Sequence, residues 1–257
     1  MIPKIIHYCW FGGNPMPELA LKCIESWKEH CGDFELVEWN EDSFDISSAP
    51  KYVKQAYEAK KYAFVSDYVR LYALYNQGGI YLDTDVCVLK SFDPFLNNHA
   101  FSGFEQKDKV TTGTISAEKG NPVIAEFLKY YDTAEFIKAD GTYDTTTNVE
   151  IITEAMVKKG LCLNGELQTV SGFTLYPQNI FCPLHKKLED KDYMKDTVTI
   201  HYFAGSWRSE KSRQRSKKLW WHVTATVATA VSKVLKKLFG DKWIKLRNKI
   251  REKVLSD

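Results

Sequence analysis

The six cysteines, at 9, 23, 31, 87, 162 and 182, include no C-x-x-C pair. That scatter argues against a disulfide framework and for reduced thiols in a cytosolic protein. Long apolar runs are also missing. The longest weakly charged run, Leu219–Ser232, is too short for a bilayer span and contains His222 and several Thr residues, so no transmembrane helix is expected. The chain opens Met1-Ile2-Pro3-Lys4 and passes straight into an expected strand, so no secretory leader is expected. No internal repeat and no low-complexity linker interrupts it. What is present is ordinary for a globular protein: 257 residues, 44% hydrophobic and 26% charged, enough for one large α/β domain and an appendage.

The near-neutral total charge of +2 conceals a division. Residues 208–257 hold 15 Lys+Arg against 4 Asp+Glu, a net of +11, whereas 1–207 hold 20 against 29, a net of −9. The domain reading is a body over 1–207 and a basic tail over 208–257. In the tail, Trp220, Val223, Val227, Val231, Val234 and Leu238 recur at three- and four-residue steps, and Trp243, Leu246, Ile250 and Val254 repeat the pattern after Gly240. Two amphipathic basic helices with interfacial aromatics suit an anionic membrane surface. Docking of the apolar stripes on the body, a homo-oligomer contact, or nucleic acid are the other readings, with nucleic acid the least favoured.

Along the body, residues 2–11 read as a buried strand ended by Gly12-Gly13, and Pro17 opens a helix through His30. Phe34–Trp39 alternates as a second strand. Pro50 starts a helical stretch, and Ala63–Gln77 continues as a periodic helix stopped by Gly78-Gly79. A strand over Ile80–Leu82 follows, with Val86–Val88 extending it. Strands are expected at 100–104, 110–117, 167–176 and 197–203, and helices from Asn121-Pro122 and over 148–159. This alternation predicts an α/β sandwich with a mainly parallel sheet.

Asp83-Thr84-Asp85 directly follows the apolar run Gly79–Leu82. Paired carboxylates at the C-terminal end of a strand lie where open α/β sheets bind ligands, and their oxygens suit Mn²⁺ or Mg²⁺ shared with phosphates. A bare D-x-D is common in solvated turns, so its neighbours matter. Asp67 and Arg70, at i and i+3, share a face of the preceding helix. They read either as a surface ion pair or as a buried pair awaiting polar partners such as sugar hydroxyls.

The block SDYVRLYALYNQGGIYLDTDV, with IPKIIHYCWFGG at the start, resembles the DXD sugar transferases of glycosyltransferase family 32. It is also similar to the catalytic domain of the large clostridial glucosylating toxins. The resemblance covers roughly the first 105 residues and, in part, 198–207. It implies a Rossmann-like nucleotide-sugar transferase (GT-A) fold with a central mixed, mainly parallel sheet, here carrying a C-terminal basic helical extension. It also implies a divalent metal, Mn²⁺ or Mg²⁺, and hexose transfer from a UDP-sugar with retention.

By the same resemblance, Trp10 would stack on uracil beside the Cys9 backbone, with core packing as the alternative for the indole. Ser66 would contact the ribose or diphosphate, Asp67 and Arg70 the donor sugar, and Tyr81 the nucleotide. Asp83 and Asp85 would serve the metal, Asp83 mainly through ribose or metal-bound water. Ser206 and Trp207 would close over the diphosphate. The toxins place a glutamate upstream of that serine where this chain has His201, which makes His201 a candidate third metal ligand or, alternatively, a structural histidine. Asn148 reads as a sugar- or acceptor-contacting residue or as a helix N-cap. No carboxylate nucleophile stands out among Glu105, Asp67 and Glu150, which favours front-face attack.

Resemblance and tail together suggest transfer of glucose or galactose to a glycan, with a lipid-linked oligosaccharide of capsule or surface-polysaccharide synthesis as the natural acceptor. The location would be cytoplasmic, peripheral on the inner membrane face. A protein-modifying glucosyltransferase is a second reading, and a non-enzymatic nucleic-acid-binding protein with a basic arm a third.

Overall fold

The computed structural model describes residues 1–205. The chain divides into two compact units, one of residues 1–134 and 146–203 and another of 135–145 and 204–257. Within the described part of the second, Phe136 stacks on Tyr143 at 5.0 Å.

The first unit starts with β1 (Ile5–Cys9), α1 (Glu18–His30), β2 (Glu35–Trp39), α2 (Lys51–Glu58), α3 (Tyr62–Gln77), β3 (Gly79–Leu82) and β4 (Val86–Val88). It continues with β5 (Ala100–Gln106), β6 (Lys109–Val110), β7 (Thr114–Ala117), α4 (Pro122–Thr133), α5 (Asn148–Lys158), β8 (Gln168–Val170), β9 (Phe173–Tyr176), α6 (Gln178–Phe181) and β10 (Thr199–His201). The main sheet has the order β2-β1-β3-β7-β5-β9-β8, with β6 paired to β5. It is mixed: β1, β2, β3, β5 and β9 run one way, and β6, β7 and β8 run against them. This is the mixed α/β sheet that the resemblance implied for the GT-A fold.

Local chemistry accounts for the elements that carry the site. The apolar stripe of α3 buries Phe64, Val65, Val69, Leu71, Ala73 and Leu74. The helix stops at Gly78 (φ +72°), whose N–H reaches the Leu74 carbonyl, and Gly79 (φ +113°) starts β3 at once. Both dihedrals lie where side chains are strained, and a Cβ on Gly78 would come within 2.6 Å of the Lys119 nitrogen. Helix and strand are therefore joined with almost no loop, which fixes Asp67 and Arg70 relative to the end of β3.

Two sequence expectations need correcting. Val86–Val88 does not extend β3. The Val86 N–H closes a turn onto the Asp83 carbonyl, and β4 pairs with β10 in a separate two-stranded sheet. Its other edge is met by α1: the Trp27 indole N–H donates to the Val86 carbonyl at 2.7 Å, and the Val88 N–H donates to Ser26 Oγ at 3.0 Å. The stretch 110–117 is likewise broken, because residues 111–113 leave the ladder between β6 and β7 to approach Arg70 and the acidic turn.

Candidate active site

The acidic turn is where the main sheet hands over to the β4–β10 ribbon. The Asp83 N–H donates to the Gly113 carbonyl at 2.9 Å, which continues the β3–β7 register by one residue. His201 lies opposite Val86 in the ribbon, and the Tyr202 N–H donates to the Asp85 carbonyl at 3.0 Å. A histidine far along the chain is thereby delivered to the acids. Its Nε2 is 3.2 Å from Asp85 Oδ1 and 3.9 Å from Asp83 Oδ2. One ligand atom from each of the three residues falls within 4.8 Å of the others.

Arg70 organises the other flank. It is 5% exposed. Its Nε donates to the Ser66 carbonyl (3.2 Å), Nη1 to the Thr112 carbonyl (2.8 Å), and Nη2 contacts Asp67 Oδ1 (2.9 Å) and Asp83 Oδ1 (3.3 Å). The Tyr81 ring lies 4.6 Å beneath the guanidinium, and the Tyr81 hydroxyl donates to Asp83 Oδ1 at 3.0 Å. Asp83 thus divides the site, with Oδ1 toward Arg70 and Tyr81 and Oδ2 toward His201.

The electrostatics follow from burial. Asp67 is pushed up to about 6, chiefly by desolvation, which Arg70 only partly offsets. Burial also drives the Tyr81 phenol well above its ordinary range and raises Glu105, which senses His201 and Asp83. For His201 burial acts downward, but Asp85, the neighbouring Cys182 thiol and the charge of Asp83 outweigh it and raise the imidazole to about 10. Its Nδ1 is buried and has no hydrogen-bond partner.

The remaining expected residues are placed as follows. The Asp67–Arg70 pair is buried, not a surface ion pair. Arg70 spends most of its donors on the protein, on the Ser66 and Thr112 carbonyls and the Asp67 and Asp83 carboxylates. Tyr81 is 2% exposed and lies under Arg70. Trp10 is partly exposed, and its indole N–H donates to the Asn14 carbonyl at 2.6 Å. Cys9 is buried, with its thiol pushed to about 12 by desolvation. Ser66 Oγ donates to the Tyr62 carbonyl at 3.1 Å.

Asn148 is not the N-cap of α5. Thr147 caps it in a capping box with Glu150, because a hydroxyl one residue earlier already serves the free N–H groups. Asn148 Nδ2 instead donates to the Asp67 carbonyl at 2.9 Å, and its buried Oδ1 has no partner. Ser206, Trp207 and the tail over 208–257 lie outside the described residues.

Two contributors escaped the sequence reading. Gly113 leaves the space that His201 and Asp83 occupy: a Cβ there would stand 2.8 Å from the imidazole and 3.1 Å from Asp83 Oδ2. Thr112 supplies a carbonyl to Arg70. The glycine within Thr-Thr-Gly-Thr was the available signal of a close approach.

Residues 17–102 match the family model described as a glycosyltransferase sugar-binding region containing a DXD motif. Over these residues the chain is similar to the DXD sugar-binding region of these glycosyltransferases. Asp67, Arg70, Asp83 and Asp85 lie inside the matched region, and Trp10, Asn148 and His201 outside it. Inositol phosphoceramide mannosyltransferase 3 of Schizosaccharomyces pombe is 31% identical over 132 residues, covering 50% of this chain and 36% of that protein. The uncharacterized glycosyltransferase L373 of Acanthamoeba polyphaga mimivirus is 28% identical over 156 residues, covering 55% and 62%. The chain thus spans between about a third and three fifths of these relatives' lengths. Among solved structures, the PaToxG glycosyltransferase aligns over 62% of this chain and 69% of its own with 20% identity and a TM-score of 0.47.

DXD regions of this kind typically serve a divalent cation and a nucleotide sugar, and the residues present fit such an ion. Two carboxylates and an imidazole offer converging O and N ligand atoms, with His201 Nε2 facing both acids, and Gly113 keeps the space beside them clear. No helix among the described residues is long and apolar enough to cross a membrane.

Proposed function

We propose that the protein is a retaining glycosyltransferase that moves a hexose from a UDP-sugar, with Mn²⁺ or Mg²⁺, to a glycan acceptor. The observation that carries this reading is the meeting, at the end of β3, of the Asp83–Asp85–His201 cluster with the buried Asp67–Arg70 pair. Asp83, Asp85 and His201 would hold the cation, which when bound would offset charge on the departing nucleoside diphosphate.

The chain's own groups do the rest. Arg70 fixes Asp67 and Asp83 so that neither carboxylate must reorganise during transfer. Asp67, with its backbone held by Asn148, presents its carboxylate to the hexose, and the unpartnered Oδ1 of Asn148 is available to accept from a sugar hydroxyl. Trp10 offers an indole face at the end of β1 for a pyrimidine. Ser206 and Trp207 are assigned to closure over the diphosphate. Glu150 is occupied in its capping box, which supports front-face attack with the leaving phosphate taking the acceptor proton. A trapped glycosyl ester on Glu105, Asp67 or Glu150 would overturn that stereochemical course.

The body over 1–207 and the basic tail over 208–257 are read as a transferase domain and a peripheral anchor on an anionic membrane face. The fission yeast relative's name gives mannose as the sugar and a phosphoceramide lipid as the acceptor, which favours a lipid-bearing acceptor here and adds mannose to the donors worth testing.

The test is a hydrolysis and transfer screen of UDP-glucose, UDP-galactose, their N-acetyl forms and a nucleotide-activated mannose, with Mn²⁺ and with chelator. Turnover of a UDP-hexose that needs the metal and disappears in Asp85→Asn is the expected result. Metal-independent turnover, or none with any donor, would remove the assignment.

A further inference from the structure

Beyond the acidic turn, β10 is followed by two aromatic residues that the proposed chemistry leaves unused. Tyr202 is 39% exposed and Phe203 50% exposed. The Phe203 ring lies flat on the His201 imidazole, with centroids 4.0 Å apart and planes 24° from parallel. His185 braces the pair: its Nε2 donates to the His201 carbonyl at 2.7 Å, and its ring stands 6.3 Å from Tyr202 and 6.0 Å from Phe203. The Tyr202 hydroxyl makes no hydrogen bond within the described residues, although its N–H anchors it to Asp85.

Phe203 holds φ at +51°, in the left-handed region, where a bulky side chain is a strained outlier. An extended backbone would have continued the strand and carried the ring away from His201. The strained dihedral keeps a large apolar surface beside the most polar part of the molecule, where neither burial nor strand pairing rewards it.

We propose that Tyr202 and Phe203 form a subsite for the apolar face of an acceptor pyranose, with the Tyr202 hydroxyl at its polar rim. A sugar ring presents C–H groups on its face and hydroxyls at its edge, and an exposed aromatic face beside a hydroxyl complements both. Asp83 separates the two flanks. Asp67, Arg70 and Asn148 lie on its Oδ1 side with the donor hexose, and the aromatic pair adjoins its Oδ2 side, next to the group that holds the leaving diphosphate. This placement rests on the glycosyltransferase reading: attack from the leaving-group face brings the acceptor alongside the Asp83–Asp85–His201 cluster.

The test is saturation-transfer NMR of the full-length chain with methyl gluco-, galacto- and mannopyranosides, without donor and again with UDP and Mg²⁺. Phe203→Gly removes the ring and tolerates the dihedral, so its fold is retained; Phe203→Tyr restores the ring. Saturation of ring-face C–H protons of at least one pyranoside, lost or weakened about tenfold in Phe203→Gly and retained in Phe203→Tyr, is the expected result. No transfer to any pyranoside in the wild type, or equal transfer in Phe203→Gly, overturns the subsite. The two proposals fail separately. Ring-dependent pyranoside binding without UDP-sugar turnover would sink the enzymatic reading alone, and turnover with pyranoside binding indifferent to Phe203 would sink the subsite alone.

Discussion

Arg70 pairs with two carboxylates that the fold partly removes from water, Asp67 and Asp83, while also tying α3 to the Thr112 carbonyl. Its removal leaves both acids without their buried partner. Arg70→Met keeps the apolar stem and should cost about 3 kcal/mol, because breaking one side of a buried ion pair strands the other. Urea unfolding measures this; a loss below about 1 kcal/mol would show that water reaches the acids freely.

Gly113→Ala acts in the opposite manner. The glycine has no unusual dihedral, so the backbone tolerates alanine, but the new methyl group collides with His201 and Asp83. The expected outcome is near-normal thermal unfolding with Mn²⁺-assisted UDP affinity reduced at least tenfold by calorimetry. Undiminished affinity would place the cation elsewhere. The sequence displayed Asp67, Arg70, Asp83 and Asp85 because a short motif on one helix and one strand brings them near each other. It did not display the Arg70–Thr112 bond or the Gly113 gap, since both depend on a segment some forty residues away that meets α3 only after β7 pairs with β3.

The elements themselves were legible wherever a local device ends them. Pro17, Pro50 and Asn121-Pro122 start helices as the pattern predicted, and Gly78-Gly79 separates α3 from β3. The β4–β10 ribbon was not legible. Three apolar residues after an acidic turn look like a continued strand, and only the Trp27 indole and the arrival of β10 decide otherwise.

Pairing within the main sheet also relies on a histidine. His7 of β1 is fully buried; its Nε2 donates to the Gly78 carbonyl, and its Nδ1 accepts from the Trp39 indole at 3.2 Å. Acceptance at Nδ1 requires the neutral ring, and desolvation lowers its pKa below the ordinary 6.5, a shift the Gly78 bond only partly reverses. The unfolded chain therefore takes up a proton that the folded chain refuses. His7's contribution is fully present above about pH 6.5 and is lost as the pH falls below it. Urea midpoints between pH 7.5 and 5.5 should fall more steeply for the wild type than for His7→Gln, even though the variant is less stable throughout. Equal slopes would mean that His7 protonates in the folded state without penalty.

At the scale of the molecule, sequence is the whole basis for one property: a body of net −9 followed by a tail of net +11. The tail's apolar positions recur at helical spacing among Lys242, Lys245, Arg247, Lys249, Arg251 and Lys253. If it lies on an anionic surface, each basic residue contributes about 1 kcal/mol, and the attraction weakens as the Debye length shrinks from about 10 Å at 0.1 M salt to about 3 Å at 1 M. The full-length chain should therefore co-sediment with vesicles containing phosphatidylserine at low salt and detach as salt rises, and should ignore pure phosphatidylcholine. Replacing Lys242, Lys245 and Lys249 by Gln should abolish most of the binding, because three such contributions together make about a hundredfold in affinity. Binding that persists at high salt would assign the attachment to the apolar stripe. Absence of binding to either vesicle would assign the stripe to the body or to a second copy of the chain, and the acceptor would then have to reach the site from solution.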